Sequence, residues 1–304
     1  KRAVRVRLAF YITIINNHYR GERMKNIYLI LTLFATLTLA ACQNESDNEM
    51  KIVSLIPSNT EIISELGLLE SLVMVTVSDD YPEAVKSDKI AKIDTFNFDV
   101  EKLIAENPTH IVSHESVNKG IESEIERVKK ATGAKVLVVK DATSVEDVFR
   151  DIESIGNFLG ESREANDLVK RLEKKYSDLK TSIKSKENNK AIVFLSPTPE
   201  VYTIGRDTFI TSTLKVAGMD NVFDDLEGYP VVSNESLIKH KPDVAINLTG
   251  MSASEFREML EKTPGLENLD ITQFENQCTP DVNTVSRPGP RILEGVKSLA
   301  SCFE

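Results

Sequence analysis

Tryptophan is absent from the 304 residues, cysteine occurs three times, and 37 basic residues face 47 acidic ones. Each shortage excludes something. With no tryptophan, aromatic stacking falls to phenylalanine, tyrosine and histidine. A net charge of −10 repels a phosphate backbone and offers no counterion release, so nucleic acid is not expected as a partner; it suits a soluble surface outside the cell. Cys42, Cys278 and Cys302 make no disulfide framework, although the last two could pair in an oxidising compartment. Gly-x-Ser-x-Gly, a Gly-Lys-Ser/Thr phosphate loop and Gly-x-Gly-x-x-Gly are all missing. Ser-x-x-Lys starts at Ser116, Ser177 and Ser236, and a pattern recurring without its supporting motifs identifies no nucleophile. His110 and His114 enclose Ile111 and Val112 after Pro108, which reads as a strand; four strand residues span about 13 Å, too far for a shared ion. Neither an enzyme nor a resident metal or cofactor is expected.

Long apolar runs are scarce too. The stretch from Ile27 to Ala41 falls short of the roughly 20 residues of a spanning helix and closes in Leu39-Ala40-Ala41-Cys42. This reads as a bacterial lipoprotein signal, with Cys42 as the lipidated residue because only a thiol takes the diacylglyceryl group there. Gln43 to Glu49 is polar and suits a tether. Residues 1–23 begin with Lys1, carry six basic residues against Glu22 and show no core periodicity, so the expectation is a natural start at Met24. Residues 42–304 carry a net charge of −16, since residues 1–41 hold seven Lys or Arg and one Glu. They are enough for two lobes with cores of their own.

Short β-branched runs alternate with helical patterns: Lys51–Leu55, Val73–Val77, Ile111–Ser113, Lys135–Val139 and Ala191–Leu195 read as strands. Ser58 and Glu61 have capping-box spacing after Pro57. From Glu161 to Lys186 there is neither Gly nor Pro, and Ala165, Leu168, Leu172, Tyr176, Leu179 and Ile183 recur at helical spacing, which predicts one long strut. A last helix is expected from about Pro290 to Cys302. Asp99–Ile104, with Pro108 seven residues after Glu101, is echoed by Asn234–Ile238, with Pro242 seven after Glu235, as expected of two lobes of one design. The divisions that follow are 1–41, 42–50, 51–143, 144–187 (bridging) and 188–304.

Lys51-Ile-Val-Ser-Leu-Ile-Pro-Ser-Asn-Thr-Glu, Asp80-Tyr81-Pro82, Asp99-Val-Glu-Lys-Leu-Ile with Asn107-Pro108, and Ser286-Arg287-Pro288-Gly289-Pro290-Arg291 resemble the helical-backbone solute-binding proteins of ABC importers for cobalamin, ferric siderophores and haem. The resemblance implies an α/β fold of two three-layer lobes joined by a long bridging helix. It also implies a bulky metal chelate gripped between the lobes and delivered to a permease dimer with its ATPase, by a monomer anchored by lipid at the extracellular face of the cell membrane of a Gram-positive bacterium. It is closest to the cobalamin-binding branch. By the same likeness Tyr81, His114, Tyr202, Tyr229 and Arg287 fall where ligand contacts sit, and Glu101 and Glu235 dock onto the permease; Arg287 is expected to matter for binding and hardly for stability, and Arg291, one helical turn on, to be structural. The chain departs from cobalamin binders in lacking tryptophan, with His114 and Tyr229 where it is usual, and axial haem ligands are not recognisable. Corrinoid stands slightly ahead of ferric siderophore; haem, a surface receptor on the same fold, and a chelatase-like enzyme remain alternatives.

Overall fold

The structure is a computed structural model that describes residues 49–183, 189–196 and 201–302. The lipidation site expected at Cys42, the leader and the tether up to Asn48 lie outside these. In chain order the elements are β1 Ile52–Ser54, α1 Pro57–Glu65, β2 Leu72–Thr76, β3 Ala91–Ile93, α2 Val100–Ala105, β4 His110–His114, α3 Glu115–Thr132 and β5 Lys135–Val139. Then come α4 Val145–Leu159, α5 Ser162–Ser182, β6 Asn189–Phe194, β7 Val201–Tyr202, α6 Phe209–Val216, β8 Met219–Asn221, β9 Val231–Val232 and α7 Asn234–His240. β10 Val244–Asn247, α8 Ala253–Lys262, β11 Gln277–Cys278, α9 Val282–Ser286 and α10 Ile292–Ser301 complete the chain.

The first lobe has a parallel sheet in the order β3-β2-β1-β4-β5, the second a parallel sheet in the order β11-β10-β6-β8, and β7 and β9 pair as a small antiparallel ribbon. Taken from its other edge, the second sheet repeats β2-β1-β4-β5 of the first. The repeat extends to single residues. Asp99 and Ser233 cap α2 and α7 by accepting from the backbone amides of Lys102 and Ser236. Leu103 and Leu237 are fully buried on the same turn. Asn107 (φ 51°) and Lys241 (φ 49°) then turn left-handed immediately before Pro108 and Pro242, where a helix cannot continue.

Strand alternation divides the apolar residues into three layers. Ile52 and Val193 point into a central core, while Val53 belongs to the outer core of the first lobe, and Ile192 and Phe194 to that of the second. The central core also takes Val148, Ile152 and Ile155 from α4 and Leu168 and Leu172 from α5. It is therefore common to both lobes, and with each buried aliphatic contributing roughly 1.5–3 kcal/mol it welds them together.

The apolar stripe expected of the long helix falls on α5 except for its last member: Ala165, Leu168, Leu172, Tyr176 and Leu179 are buried there, while Ile183 is the residue just past the helix end. The 21 residues of α5 span about 31 Å. The helix ends at Ser182, with Ile183 already extended as its C-cap; the expected continuation to Lys186 lies outside the described residues. The hydroxyls of Thr181 and Ser182 donate to the carbonyls of Asp178 and Leu179, competing with the backbone at that end. Nor is α5 a lone strut. Gly160, left-handed at φ 85°, turns the chain so that α4 packs along it, and a Cβ at Gly156 would collide with Cβ of Ala165.

One local expectation is corrected, and one open question is answered. Ser58 and Glu61 form no capping box: Ile56 is the N-cap and Pro57 takes the first helical position, which its fixed φ suits. Ser58 is thereby moved inside the helix, and Glu61 turns to other partners. Cys278 and Cys302, left open by the sequence, are bonded with Cα atoms 5.5 Å apart, tying β11 to the end of α10. Among the described residues no helix is long and apolar enough to cross a membrane.

Candidate functional site

The C-terminal ends of the parallel strands open onto a cavity of about 570 Å³ between the lobes, inside the range of small-molecule sites. From the first lobe come Ile56, Pro57 and Ser58 just after β1, His114 at the end of β4, Ser116, and Asp141 and Ala142 just after β5. β1 and β4 are the neighbours at which the strand order reverses, the place where an open parallel sheet leaves a crevice. The second lobe supplies Asp207, Phe209, Gly228, Tyr229 and Ser286 to Pro288. Ile56, Pro57, Ala142, Phe209 and Pro288 make apolar walls, and hydroxyls, carboxylates and one guanidinium are set between them.

The guanidinium is not free. Arg287 donates from Nη1 to Oε1 of Glu61 at 3.1 Å and to Oδ1 of Asp80 at 2.6 Å, and from Nη2 to the carbonyl of Ser78 at 3.4 Å. Arg291 grips the same carboxylate twice, at 2.9 and 2.6 Å. Glu61 is only 1% exposed, so two arginines of the second lobe are locked on two acids of the first. Asp80 loses solvent on burial, but the hydrogen bond and charge of Arg287 outweigh that and hold its carboxyl below the ordinary range. Arg287 lines the cavity, and the expectation that it hardly matters for stability is corrected, because most of its donors are engaged between the lobes.

His114 caps α3, its Nδ1 accepting from the amide of Ser116 at 3.3 Å and facing the Ser116 hydroxyl at 2.8 Å. Burial lowers its pKa more than Asp141 and Glu115 raise it, so the ring is neutral and carries its proton on Nε2. Asp141 Oδ1 lies 3.4 Å from Nδ1 as well. Ser116, His114 and Asp141 are therefore no catalytic relay, because a nucleophile and an orienting acid need opposite ring nitrogens. Tyr229 is half exposed, yet desolvation, with the charge of Asp141 added, pushes its phenol up to about 12. It stays a hydrogen-bond donor.

Of the five expected contacts, His114, Tyr229 and Arg287 meet in the cavity. Tyr81 and Tyr202 are not among the described residues that line it. The ring of Tyr81 lies under the Arg291 guanidinium, 4.0 Å from it, and Tyr202 sits exposed on the β7–β9 ribbon opposite Val231. Sequence reasoning missed Ile56, Asp141, Asp207 and Phe209. Crevices of parallel sheets open at the C-terminal strand ends, a signal that fits His114 at the end of β4 and also reaches Asp141, two residues past β5. Asp207 precedes a helix after no comparable strand and carried no such signal. Glu101 and Glu235 occupy the same turn of α2 and α7 and are both exposed; Glu101 pairs with Arg127 at 3.0 Å.

Comparison with known proteins bears directly on this cleft. The sequence model of a family described as periplasmic binding protein matches residues 52–273. The chain belongs to that family. An uncharacterized ABC transporter substrate-binding lipoprotein of Bacillus subtilis is 36% identical over 82% of this chain and 78% of its own length. A vitamin B12-binding protein of Vibrio vulnificus is 27% identical over 92% of this chain and 97% of its own. The crystal structure of a possible iron-binding, periplasmic solute-binding protein of Staphylococcus epidermidis superposes with a TM-score of 0.76 at 35% identity, covering 83% of this chain and 98% of that one. As a periplasmic binding protein the chain has two lobes of the expected kind, and its relatives are named for binding and transport, with no catalytic activity among those names.

Proposed function

We propose that this periplasmic binding protein is the substrate-binding lipoprotein of an ABC importer. It captures a bulky metal chelate between its lobes and hands it to a permease dimer driven by an ATPase. The observation that carries the reading is the cavity built from both lobes at the strand ends, flanked by apolar walls suited to a macrocycle. A corrinoid ranks first, because relatives named as vitamin B12-binding proteins align along nearly the whole chain. A ferric siderophore follows, in line with the Staphylococcus epidermidis protein being described as a possible iron-binding one. Haem ranks lower: the haem-binding neighbours share the fold at 20–24% identity, and among the described residues the only cavity histidine, His114, has Nδ1 engaged by Ser116.

Cys42 carries the lipid anchor in this reading, at the extracellular face of a Gram-positive cell membrane, and Glu101 and Glu235 meet the permease. With no tryptophan, tyrosine emission is the intrinsic reporter, and Tyr229 stands on the cavity wall. Titration of the purified chain with cobalamin, ferric hydroxamate, ferric catecholate and haemin, followed by calorimetry, should give one-to-one submicromolar binding of one of them. Binding of none would overturn the proposal.

A further inference from the structure

We infer that the cleft sorts chelates by charge, admitting an uncharged or cationic chelate that carries amide or hydroxamate groups and rejecting polyanions such as a ferric tricatecholate or a porphyrin with free carboxylates. The inference rests on the transport reading and narrows its ligand class. It comes from a count of charges around the cavity. Glu61, Asp80, Arg287 and Arg291 cancel, two acids against two cations, within one hydrogen-bonded cluster. Asp141 faces the cavity with neutral His114 as its neighbour, because the Nδ1 it approaches is an acceptor. Asp207 lies 3.6 Å from Arg206, but that guanidinium also pairs with Glu227, so one cation serves two acids. Among the described residues the cavity wall thus carries two uncompensated negative charges and no uncompensated positive one.

Recognition of carboxylates or catecholates relies on arginine or lysine donors, and here the one cavity arginine is already bound by acids. Amide and hydroxamate groups need no charge. Carbonyl oxygens can accept from the protonated Tyr229 and from Ser286, the Ser116 hydroxyl being turned to His114 Nδ1, and amide N–H groups can donate to Asp141 and Asp207. A chain of net charge −10 repels anions at long range as well, which slows their encounter.

The test is calorimetry on the full chain with five probes: cyanocobalamin, a cationic corrinoid lacking the phosphate-bearing loop, an uncharged ferric trihydroxamate, a ferric tricatecholate and haemin. The tightest binder should be one of the first three, with the tricatecholate and haemin at least about 100-fold weaker. Raising salt from low to physiological strength should narrow that gap, since screening weakens repulsion. Asp141→Asn with Asp207→Asn should narrow it at low salt by about tenfold or more. Asparagine keeps the shape at both sites and tolerates the left-handed backbone of Asp207, φ 62°. Haemin or tricatecholate binding as tightly as the uncharged probes overturns the charge filter and leaves the transport reading standing, as does a gap unmoved by both salt and the double variant. Binding of no probe overturns the transport reading, and this inference with it.

Discussion

Glu61 is buried on α1, and its three hydrogen bonds come from residues 226 and 230 positions away. Its local spacing fitted a helix cap, and no local pattern reports a partner at such a distance. Breaking a buried pair from one side leaves a charge without compensation, which costs about 3–5 kcal/mol. Arg291→Ala, which removes two of the three bonds, should destabilise the protein by about 3 kcal/mol in urea unfolding. Arg287→Ala should cost less, about 2 kcal/mol, because Arg291 still holds Glu61. Acid should act on the same cluster: the contribution of Asp80 is present above its ordinary value of 3.8 and is lost as pH falls through its lowered folded value.

Asp151 on α4 behaves in the opposite sense. Burial, with repulsion from Asp147 and Asp141, raises its carboxyl to about 7. A raised acid favours the native state below its unfolded value and loses that contribution as pH climbs through the folded one. Asp151→Asn should therefore stabilise the protein at pH 8 by about 1–2 kcal/mol and flatten the loss between pH 4 and 7, as read from urea midpoints across that range.

Among the elements, the strands were the most legible. Lys135–Val139 is legible residue for residue, because a β-branched run of strand length between turn signals suits little but a strand, even at this sheet edge, where only Val139 is buried. The stripe on α5 was equally plain, whereas its end at Ser182 depended on hydroxyl competition that periodicity ignores. The β7–β9 ribbon is two residues per strand, too short for any pattern, and Tyr202 was consequently placed by likeness alone. In the α4–α5 hairpin, Gly156→Val should cost at least about 2 kcal/mol by overpacking, since Ala165 occupies the space of its side chain. The Cys278–Cys302 bond closes a separation of 24 residues, so its removal by Cys302→Ala should lower stability by about 3 kcal/mol, measured with and without reductant on the parent as control.

At the scale of the molecule, the division into two lobes could be read from the Glu101 and Glu235 repeat, while the welding of those lobes could not. It needs the central core and the arginine cluster, both assembled from distant segments. Among the described residues a shared core and a helical hairpin hold the lobes together, which opposes a large clamshell motion, so ligand should change the radius of gyration by less than several ångströms in solution scattering.

The same rigidity gives the docking prediction its force. Glu101 and Glu235 stand at equivalent turns of two equivalent lobes whose spacing the common core fixes, so a permease with two-fold symmetry can present one basic cluster to each. Exposed pairs of this kind are singly worth about 0–1 kcal/mol and steer encounter more than they hold it, yet two at a fixed spacing set register. Acids in a first helical turn also compensate the helix dipole, which alone would leave transport untouched. Glu101→Lys with Glu235→Lys breaks only the exposed contact to Arg127 and should leave chelate binding intact in calorimetry. Uptake of labelled chelate by cells carrying that double variant should be abolished; normal uptake would leave the dipole as the sole role of these two carboxylates.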